Sequence, residues 1–522
     1  MRISTTQFYN TSANNYLRTF SNVAKTQQEA SDGIRVRTAA DDPVGAARLL
    51  QLEQQQNMLD QFKTNTTNVR NALGTAESTL NSIGNILQRV NELAVSSGNA
   101  AFTDADRKAN ANELASLEDQ LFTLMNSRDE NGKYLFSGSK GDTPPYVRNA
   151  DGTYSYQGDQ GQLKLQVGDM LSLAANETGY DAFEQALNTS RSQTRLTAPA
   201  VDDGRVSLSN GQVSGNSTYN DRFRSGEPYS VEFLSSTQYR ILDAGGNDVT
   251  LEASQGGTFD PKGENTTISF RGVDLRLNIS LQPGDAGNPD AAIAGHSFAL
   301  SSKPDSVGGS RSPGNTSATQ INSATISNQG QYNAGFPNGG AVLKFTSATD
   351  FELYAAPMTD GDRPLSSGTL AGNTATAAGV TFQLSGAPNA GDSFAIKVET
   401  HQTQNVLDTI SKLRTALSSP VDGDPVARQN FLSSLDSAIG NVGSAINQVA
   451  SSISSIGGRG AALDVQAETN EALGTENTKT QSSIRESDPA TVMLRLQMQT
   501  NMLTASLQSY AKIASLSLVN YI

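Results

Sequence analysis

The 522-residue chain has no cysteine, no tryptophan and two histidines, and it is poor in aromatic (6%) and charged (17%) residues. Each scarcity closes a class of chemistry. Without cysteine there is no disulfide scaffold, no thiolate zinc or iron–sulfur site and no cysteine nucleophile. His296 and His401 lie far apart in unlike contexts, no His-Glu-x-x-His run exists, and neither histidine is near a Gly-x-Ser-x-Gly elbow. Both are expected at the surface or at strand ends. No catalytic, cofactor or metal residue is therefore nominated, and no enzyme activity is expected. A formal charge of -14 opposes the basic stripe that a phosphate backbone requires, so no nucleic-acid partner is expected. No run approaches the ~18 apolar residues of a membrane span. The start, Met1-Arg-Ile-Ser-Thr-Thr-Gln-Phe, lacks the apolar core of a cleavable signal peptide. A soluble chain without a membrane partner is expected, or one exported by a route that reads no such signal.

What is present is periodicity of two kinds. Leu59, Phe62, Thr66, Val69, Leu73, Ala76, Leu80, Ile83, Leu87 and Val90 step by three and four, the spacing of a coiled-coil seam. The spacing predicts a helix over 45–97, then a second one capped at Thr103-Asp104. Near the other end Leu432, Leu435, Ile439, Val442, Ile446, Val449, Ile453 and Ile456 repeat the device. Their phase continues through Gly457-Gly458-Arg459-Gly460 to Leu463, Ala467 and Ile484. Three glycines cost about 1 kcal/mol each relative to alanine, so either a break or close packing is expected there. A shorter helix carries Val406, Ile410, Leu413 and Leu417.

The outermost segments form two further seams. One runs through Tyr9, Ala13, Tyr16, Phe20, Val23 and Ile34; the other through Met493, Leu496, Leu503, Leu507 and Tyr510, with Ile513 and Met498 on its opposite face. After Pro489 the tail has only two charges, Arg495 and Lys512. A helix facing water is normally charged on its outer side, so these residues are expected to meet neighbouring subunits. Between them, residues 190–400 alternate by two and contain an internal repeat. Val231-Glu-Phe-Leu-Ser-Ser-Thr-Gln-Tyr-Arg-Ile matches Leu343-Lys-Phe-Thr-Ser-Ala-Thr-Asp-Phe-Glu-Leu. Gly272-Val-Asp-Leu-Arg-Leu with Pro283-Gly-Asp matches Gly379-Val-Thr-Phe-Gln-Leu with Ala390-Gly-Asp. Two related β modules joined by a polar, flexible stretch around 303–340 are expected. Asp42 reads as a helix N-cap with Pro43 as first helical residue, Tyr134-Leu-Phe as a buried strand, and Asp422-Gly-Asp as a plain acidic turn.

Two apolar ends around a β insert suggest that the ends pair and the modules branch outward, since hiding an apolar stripe is favoured by roughly 25 cal/mol per Å². The expected fold is α+β and multidomain, with long antiparallel coiled-coil helices formed by both ends and β-rich outer domains between them. The expected division is 1–44 with 486–522, 45–190 with 401–485, 191–303, and 304–400.

Ala30-Ser-Asp-Gly-Ile-Arg-Val-Arg-Thr-Ala-Ala-Asp-Asp-Pro-Val-Gly-Ala-Ala resembles the N-terminal signature of bacterial flagellins and their relatives. Met1-Arg-Ile-Ser-Thr, Asn131-Gly-Lys-Tyr-Leu-Phe-Ser-Gly, the Tyr156-Gln-Gly-Asp segment and Asn176-Glu-Thr-Gly resemble the hook-associated junction branch of that family more than filament flagellin. The segment from Ile456 through Gly-Gly-Arg-Gly-Ala-Ala-Leu is similar to the matching C-terminal end. The resemblance implies an extracellular structural protein of the flagellum, between the first hook-associated protein and flagellin. It also implies a ring of copies of itself, type III export without a cleaved signal, a cytosolic export chaperone, and terminal helices that order on assembly. Filament flagellin itself, or a surface adhesin whose β modules bind glycan or a host surface, are the alternative readings.

Overall fold

The structure is a computed structural model describing residues 5–260, 266–337, 339–359 and 361–519. The chain divides into two compact units, Met1–Gly74 with Leu163–Ala175 and Ile456–Ile522, and Thr75–Gln162 with Asn176–Ser455. Two long helices, α2 (Pro43–Ser97) and the helix Pro425–Arg485, contribute to both. This cut differs from the four-part division drawn on the sequence, because each long helix belongs to two units rather than one.

In the first unit, α1 (Thr5–Asp32) runs antiparallel to the last helix, Pro489–Val519. The Tyr16 and Tyr510 rings stack 6.3 Å apart, and Arg495 pairs with Glu29 at 2.8 Å. Asp488 starts the last helix by accepting the Ala490 amide and the Thr491 hydroxyl, with Pro489 needing no donor at that position. At the other end of α1 the chain turns through Gly33, φ +70°, and a bridge joins Ile34 to Glu486. The first half of α2 runs antiparallel to the end of Pro425–Arg485, since Asn477 Nδ2 donates to Leu52 O (2.9 Å) and Arg70 pairs with Asp464. A hairpin of β3 (Lys164–Gln166) and β4 (Ser172–Ala174) bridges the two helices. Asn65 Nδ2 donates to Gln166 O (2.7 Å) and Asn470 Nδ2 to Val167 O (2.8 Å).

Every position of the α2 seam from Leu59 to Val90 is buried. The seam of the C-terminal helix is rotated from its expected course. Leu435, Val442, Val449 and Ile456 are buried, but Ala438, Ala445 and Ser452 are buried more deeply than Ile439, Ile446 and Ile453. Small side chains at those positions let neighbours approach closely and tilt the contact line toward them. Beyond Leu463 the buried line continues as Asn470 and Asn477, held by the carbonyl bonds just named, with Ile484 half-buried in the same phase.

In the second unit, α3 (Asp104–Met125) opens with the expected Thr103 cap, a reciprocal capping box with Asp106. It packs against the helix Val406–Ser418. A small pair, β1 (Tyr146–Arg148) and β2 (Tyr154–Tyr156), lies beside them. Tyr134-Leu135-Phe136 is not a strand: Tyr134 makes one bridge to Arg128 and the chain turns, because Gly138, φ +70°, redirects it toward Asp159.

The β region is a duplication, and its two copies share register. In the first copy, β5 (Ser192–Ala198), β12 (Ser297–Ser302), β8 (Tyr229–Phe233) and β9 (Tyr239–Leu242) form one sheet in that order. Beside them β10 (Thr266–Phe270), β11 (Val273–Ile279) and β6 (Val206–Leu208) form another, with β7 (Gln212–Val213) also on β11. The second copy strings the equivalents into one eight-stranded sheet. They are β16 (Asp350–Ala355), β15 (Ala341–Phe345), β20 (Ser393–Glu399), β13 (Ser306–Arg311), β14 (Ile321–Ile326), β19 (Val380–Leu384) and β18 (Thr374–Ala377), with β17 (Ser366–Thr369) outermost on β16. Val231 faces Ile241 and Phe233 faces Tyr239, as Leu343 faces Leu353 and Phe345 faces Phe351. The turns Arg271-Gly272 and Ala378-Gly379 both have positive φ at both residues, the hairpin geometry that matches strand twist. The Gly272 and Gly379 carbonyls accept from the start of a short helical segment, at Ser214/Gly215 and Ser327/Asn328. Tyr219 and Phe223 therefore correspond to Tyr332 and Phe336, all buried.

Two expectations are corrected here. Ala390-Gly-Asp corresponds to Ala294-Gly-His rather than to Pro283-Gly-Asp, since Phe233 exchanges backbone bonds with Gly295 and His296 as Phe345 does with Gly391 and Asp392. Pro283 instead opens a 3-10 turn. The stretch 303–340 is no linker: β13, β14 and the helix Gln329–Gly335 occupy it as part of the second copy. His296 lies at a strand end as expected but is buried, its ring nitrogens bonded to Ile293 O (2.9 Å) and Asp203 Oδ1 (3.1 Å).

Candidate assembly surface

The terminal helix pair buries one face of each helix and leaves a second apolar face open. Tyr16, Val23, Ile34, Leu496, Leu503 and Tyr510 are half-buried within the pair. Phe20, Met493 and Leu507 are not: they are 53%, 61% and 47% exposed, alongside Leu17, Leu494, Met498 and Met502. Tyr9 and Ile513 fall outside the residues whose side chains are described. Burying the exposed remainder of these side chains would stabilise an assembly by roughly 1 kcal/mol each. With only Arg495 and Lys512 charged after Pro489, little desolvation cost opposes that burial.

Asp42 Oδ1 accepts the Gly45 amide at 2.9 Å and its carbonyl accepts Ala46 N, while Pro43 opens α2. Arg35 reaches Asp42 at 3.5 Å and also donates to Ile484 O. The carboxylates of the signature segment thus hold backbone. Asp41 accepts Thr38 N and Oγ1, which keep its carboxyl below the usual range. Among the described residues no group of three His, Asp or Glu side chains is placed to hold a metal, and no helix is long and apolar enough to cross a membrane.

The helix Pro425–Arg485 passes unbroken through Gly457, Gly458 and Gly460. A Cβ at any of the three would meet nothing within 4 Å. The expected break is absent, and the packing that would hold these glycines is not supplied by this chain. Arg459, between them, donates to Ala174 O of the β3–β4 hairpin at 3.3 Å.

Three polar clusters escaped sequence reasoning because their members are hundreds of residues apart. Arg107, 2% exposed, pairs with Asp104 and Asp422, donates to Phe102 O and lies over the Phe431 ring. The Asp422-Gly423-Asp424 turn is thus half of a clasp; hydrogen bonding from Arg107 holds the Asp104 carboxyl below its ordinary range. Glu118, 1% exposed, accepts Arg414 Nε (2.8 Å) and the Tyr154 hydroxyl (2.7 Å), with Arg148 at 3.7 Å. The third cluster seats the base of the β region. Asn441 Oδ1 accepts Thr189 N (2.8 Å) and Oγ1 (2.9 Å), and Gln404 Nε2 donates to Asn441 O (2.8 Å). The neighbouring Gly440 makes room: a Cβ there would stand 2.5 Å from Thr189 Oγ1. A Gly-Asn pair inside a helical repeat was the one available signal.

Residues 3–141 match the family model for the bacterial flagellin N-terminal helical region, which the chain therefore carries. The chain is 25% identical over 287 residues to flagellar hook-associated protein 3 of Salmonella typhimurium strain LT2, covering 54% of this chain and 86% of that protein. It is 29% identical over 290 residues to flagellar hook-associated protein 3 of Escherichia coli strain K12, covering 56% of this chain and 89% of the relative. Among solved structures, flagellar hook associated protein-3 from Legionella pneumophila aligns with a TM-score of 0.52 at 19% identity, covering 83% of this chain and 98% of that one. That likeness is one of fold: helices at both ends and a β-rich middle.

Proposed function

We propose that this chain is a structural component of the bacterial flagellum that joins hook to filament. The two relatives described above are named flagellar hook-associated protein 3, and further relatives are named flagellin. The observation that carries the reading is the terminal helix pair with its open apolar face, in a chain whose first helix lies within the matched flagellin N-terminal region, residues 3–141. The face supplies what a ring of identical subunits needs, and the same apolar tail suits an export chaperone before assembly. The partners of this reading are other copies of the chain, the first hook-associated protein below, flagellin above, and the chaperone in the cytosol. Export through the flagellar type III apparatus and a place outside the cell at the hook–filament junction follow with it.

In this reading the paired ends form an antiparallel coiled coil (1–44 with 486–522), the long helices and the β3–β4 hairpin a second layer (45–190 with 401–485), and residues 191–303 and 304–400 the outer modules. Phe20, Met493, Leu507 and Met498 then face other subunits, with Tyr9 and Ile513 on the same helices, while Tyr16, Val23, Leu496, Leu503 and Tyr510 hold the pair together. Leu507→Asp separates the two roles, because Leu507 is half exposed in the single chain. An aspartate there leaves the purified protein folded, yet burying that charge between subunits costs several kcal/mol. Cells carrying the variant in place of the native copy are expected to build hooks without filaments and to shed flagellin. Normal filaments on those hooks would remove the helix face from the interface.

A further inference from the structure

Three stretches of chain meet at the base of the β region: its entry at Arg191, the crossover 302–305 between the two copies, and its exit at Gln402. Lys303 N and the Tyr219 hydroxyl both donate to Arg191 O, at 2.6 and 3.1 Å. Arg191, Arg224, Lys303, Asp305, Tyr219 and Gln402 line a small cavity there. It leaves about 10 Å³ for the centre of a water-sized particle, which is room for one water or one small ion.

The charges lining this cavity do not balance. Arg191 is 4% exposed. It donates to Asn216 Oδ1 (2.7 Å), and its guanidinium lies over the Tyr219 ring, 4.7 Å from the centre. Its Nε is buried and has no acceptor among the described residues. The groups that face it are the Tyr219 phenol and a second cation, Arg224. Burial and Arg224 both oppose its charge, which an arginine keeps all the same. Lys303 is half-buried and also faces a cation, Lys412. Asp305 is the one carboxylate among the lining residues, and it is already engaged by Arg224 (3.3 Å) and the Tyr332 hydroxyl (2.9 Å). Glu227 accepts Ser302 N and acts on the Tyr219 phenol, not on Arg191 or Lys303. Buried charges in native proteins are paired, because an unpaired one is costly to keep out of water. In a chain of formal charge -14, two uncompensated cations at one cavity call for an anion from outside.

We propose that this cavity binds one small monovalent anion, of the size and charge of chloride, between Arg191 Nε and Lys303. The anion supplies the acceptor that the chain does not, and it offsets both cations where entry, crossover and exit meet. A water molecule would satisfy Nε equally but leave the charge uncompensated. Gluconate is too large for the space. Dependence on the anion therefore separates the two occupants.

The test is hydrogen exchange of the amide at position 303, which donates to Arg191 O, in the full-length protein. It is measured in sodium chloride and in sodium gluconate at the same ionic strength. For a site half filled at about 20 mM, protection in 200 mM chloride should be about tenfold that in 200 mM gluconate. Arg191→Met and Lys303→Met each remove one of the two cations, and in each the ratio should fall below threefold. A native ratio near one means that water fills the cavity, and overturns the proposal. An undiminished ratio in either folded variant places the chloride effect elsewhere, and overturns it too. Should R191M fail to fold by circular dichroism, K303M decides alone.

Discussion

Replacing Gly457, Gly458 and Gly460 together by alanine sets the needs of the single chain against those of an assembly. Inside a helix each glycine costs about 1 kcal/mol relative to alanine, through the extra backbone entropy lost on folding. In this chain nothing offsets that cost: the added methyl groups would meet no atom within 4 Å, and the helix is already continuous. The triple variant should therefore gain about 2–3 kcal/mol of helix stability. Denaturant unfolding of the monomer, followed by circular dichroism at 222 nm, measures it. If the bare backbone is there for a neighbouring subunit to approach, the same three methyl groups must hinder assembly. Cells relying on the variant should then swim poorly while secreting normal amounts of it. A monomer that loses stability would refute the open-space argument. A stabilised monomer that swims normally would refute the subunit contact and leave the glycines unexplained.

Two further outcomes test the interior of the second unit. Gly440→Val places a branched side chain where Thr189 now sits, and should cost about 2–3 kcal/mol by overpacking; limited proteolysis should cut first near 186–191 and 400–405. Glu118→Ala leaves Arg414 and the Tyr154 hydroxyl without their acceptor and should cost about 2–3 kcal/mol. Glu118→Gln, keeping the shape and one acceptor, should recover part of that loss in the same urea titration.

How much was legible in the sequence depended on whether the signal was periodic. The α2 seam, the Thr103 cap and the short helix at 406–418 were readable because each is a local rule: apolar spacing, a capping side chain, a breaker. The repeat was half readable. Val231–Ile241 and Leu343–Leu353 match along the chain, so the hairpins stood out. The correspondence of Ala294-Gly-His with Ala390-Gly-Asp was missed because a Gly-Asp pair in another loop gave a stronger local likeness. The stretch 303–340 looked like a linker for a related reason: β13 and β14 are central strands rich in small and polar residues, and their partners β20 and β19 lie about 54 to 93 residues away.

Composition and local pattern by themselves determined that the chain would have helical ends, a β-rich middle and no thiol chemistry, because these follow from which side chains occur and how they are spaced. They also set the tail's neutrality. Only the tertiary structure decided how far each terminal seam is covered within the chain: Leu496 and Leu503 are half-buried, whereas Met493 and Leu507 of the same seam stay exposed. It alone rotated the C-terminal seam onto Ala438, Ala445 and Ser452. It alone assembled Glu118 with Arg414 and Arg107 with Asp422. Those clusters are made by chain crossings, and no one-dimensional spacing carries the distance between residues that meet only after folding.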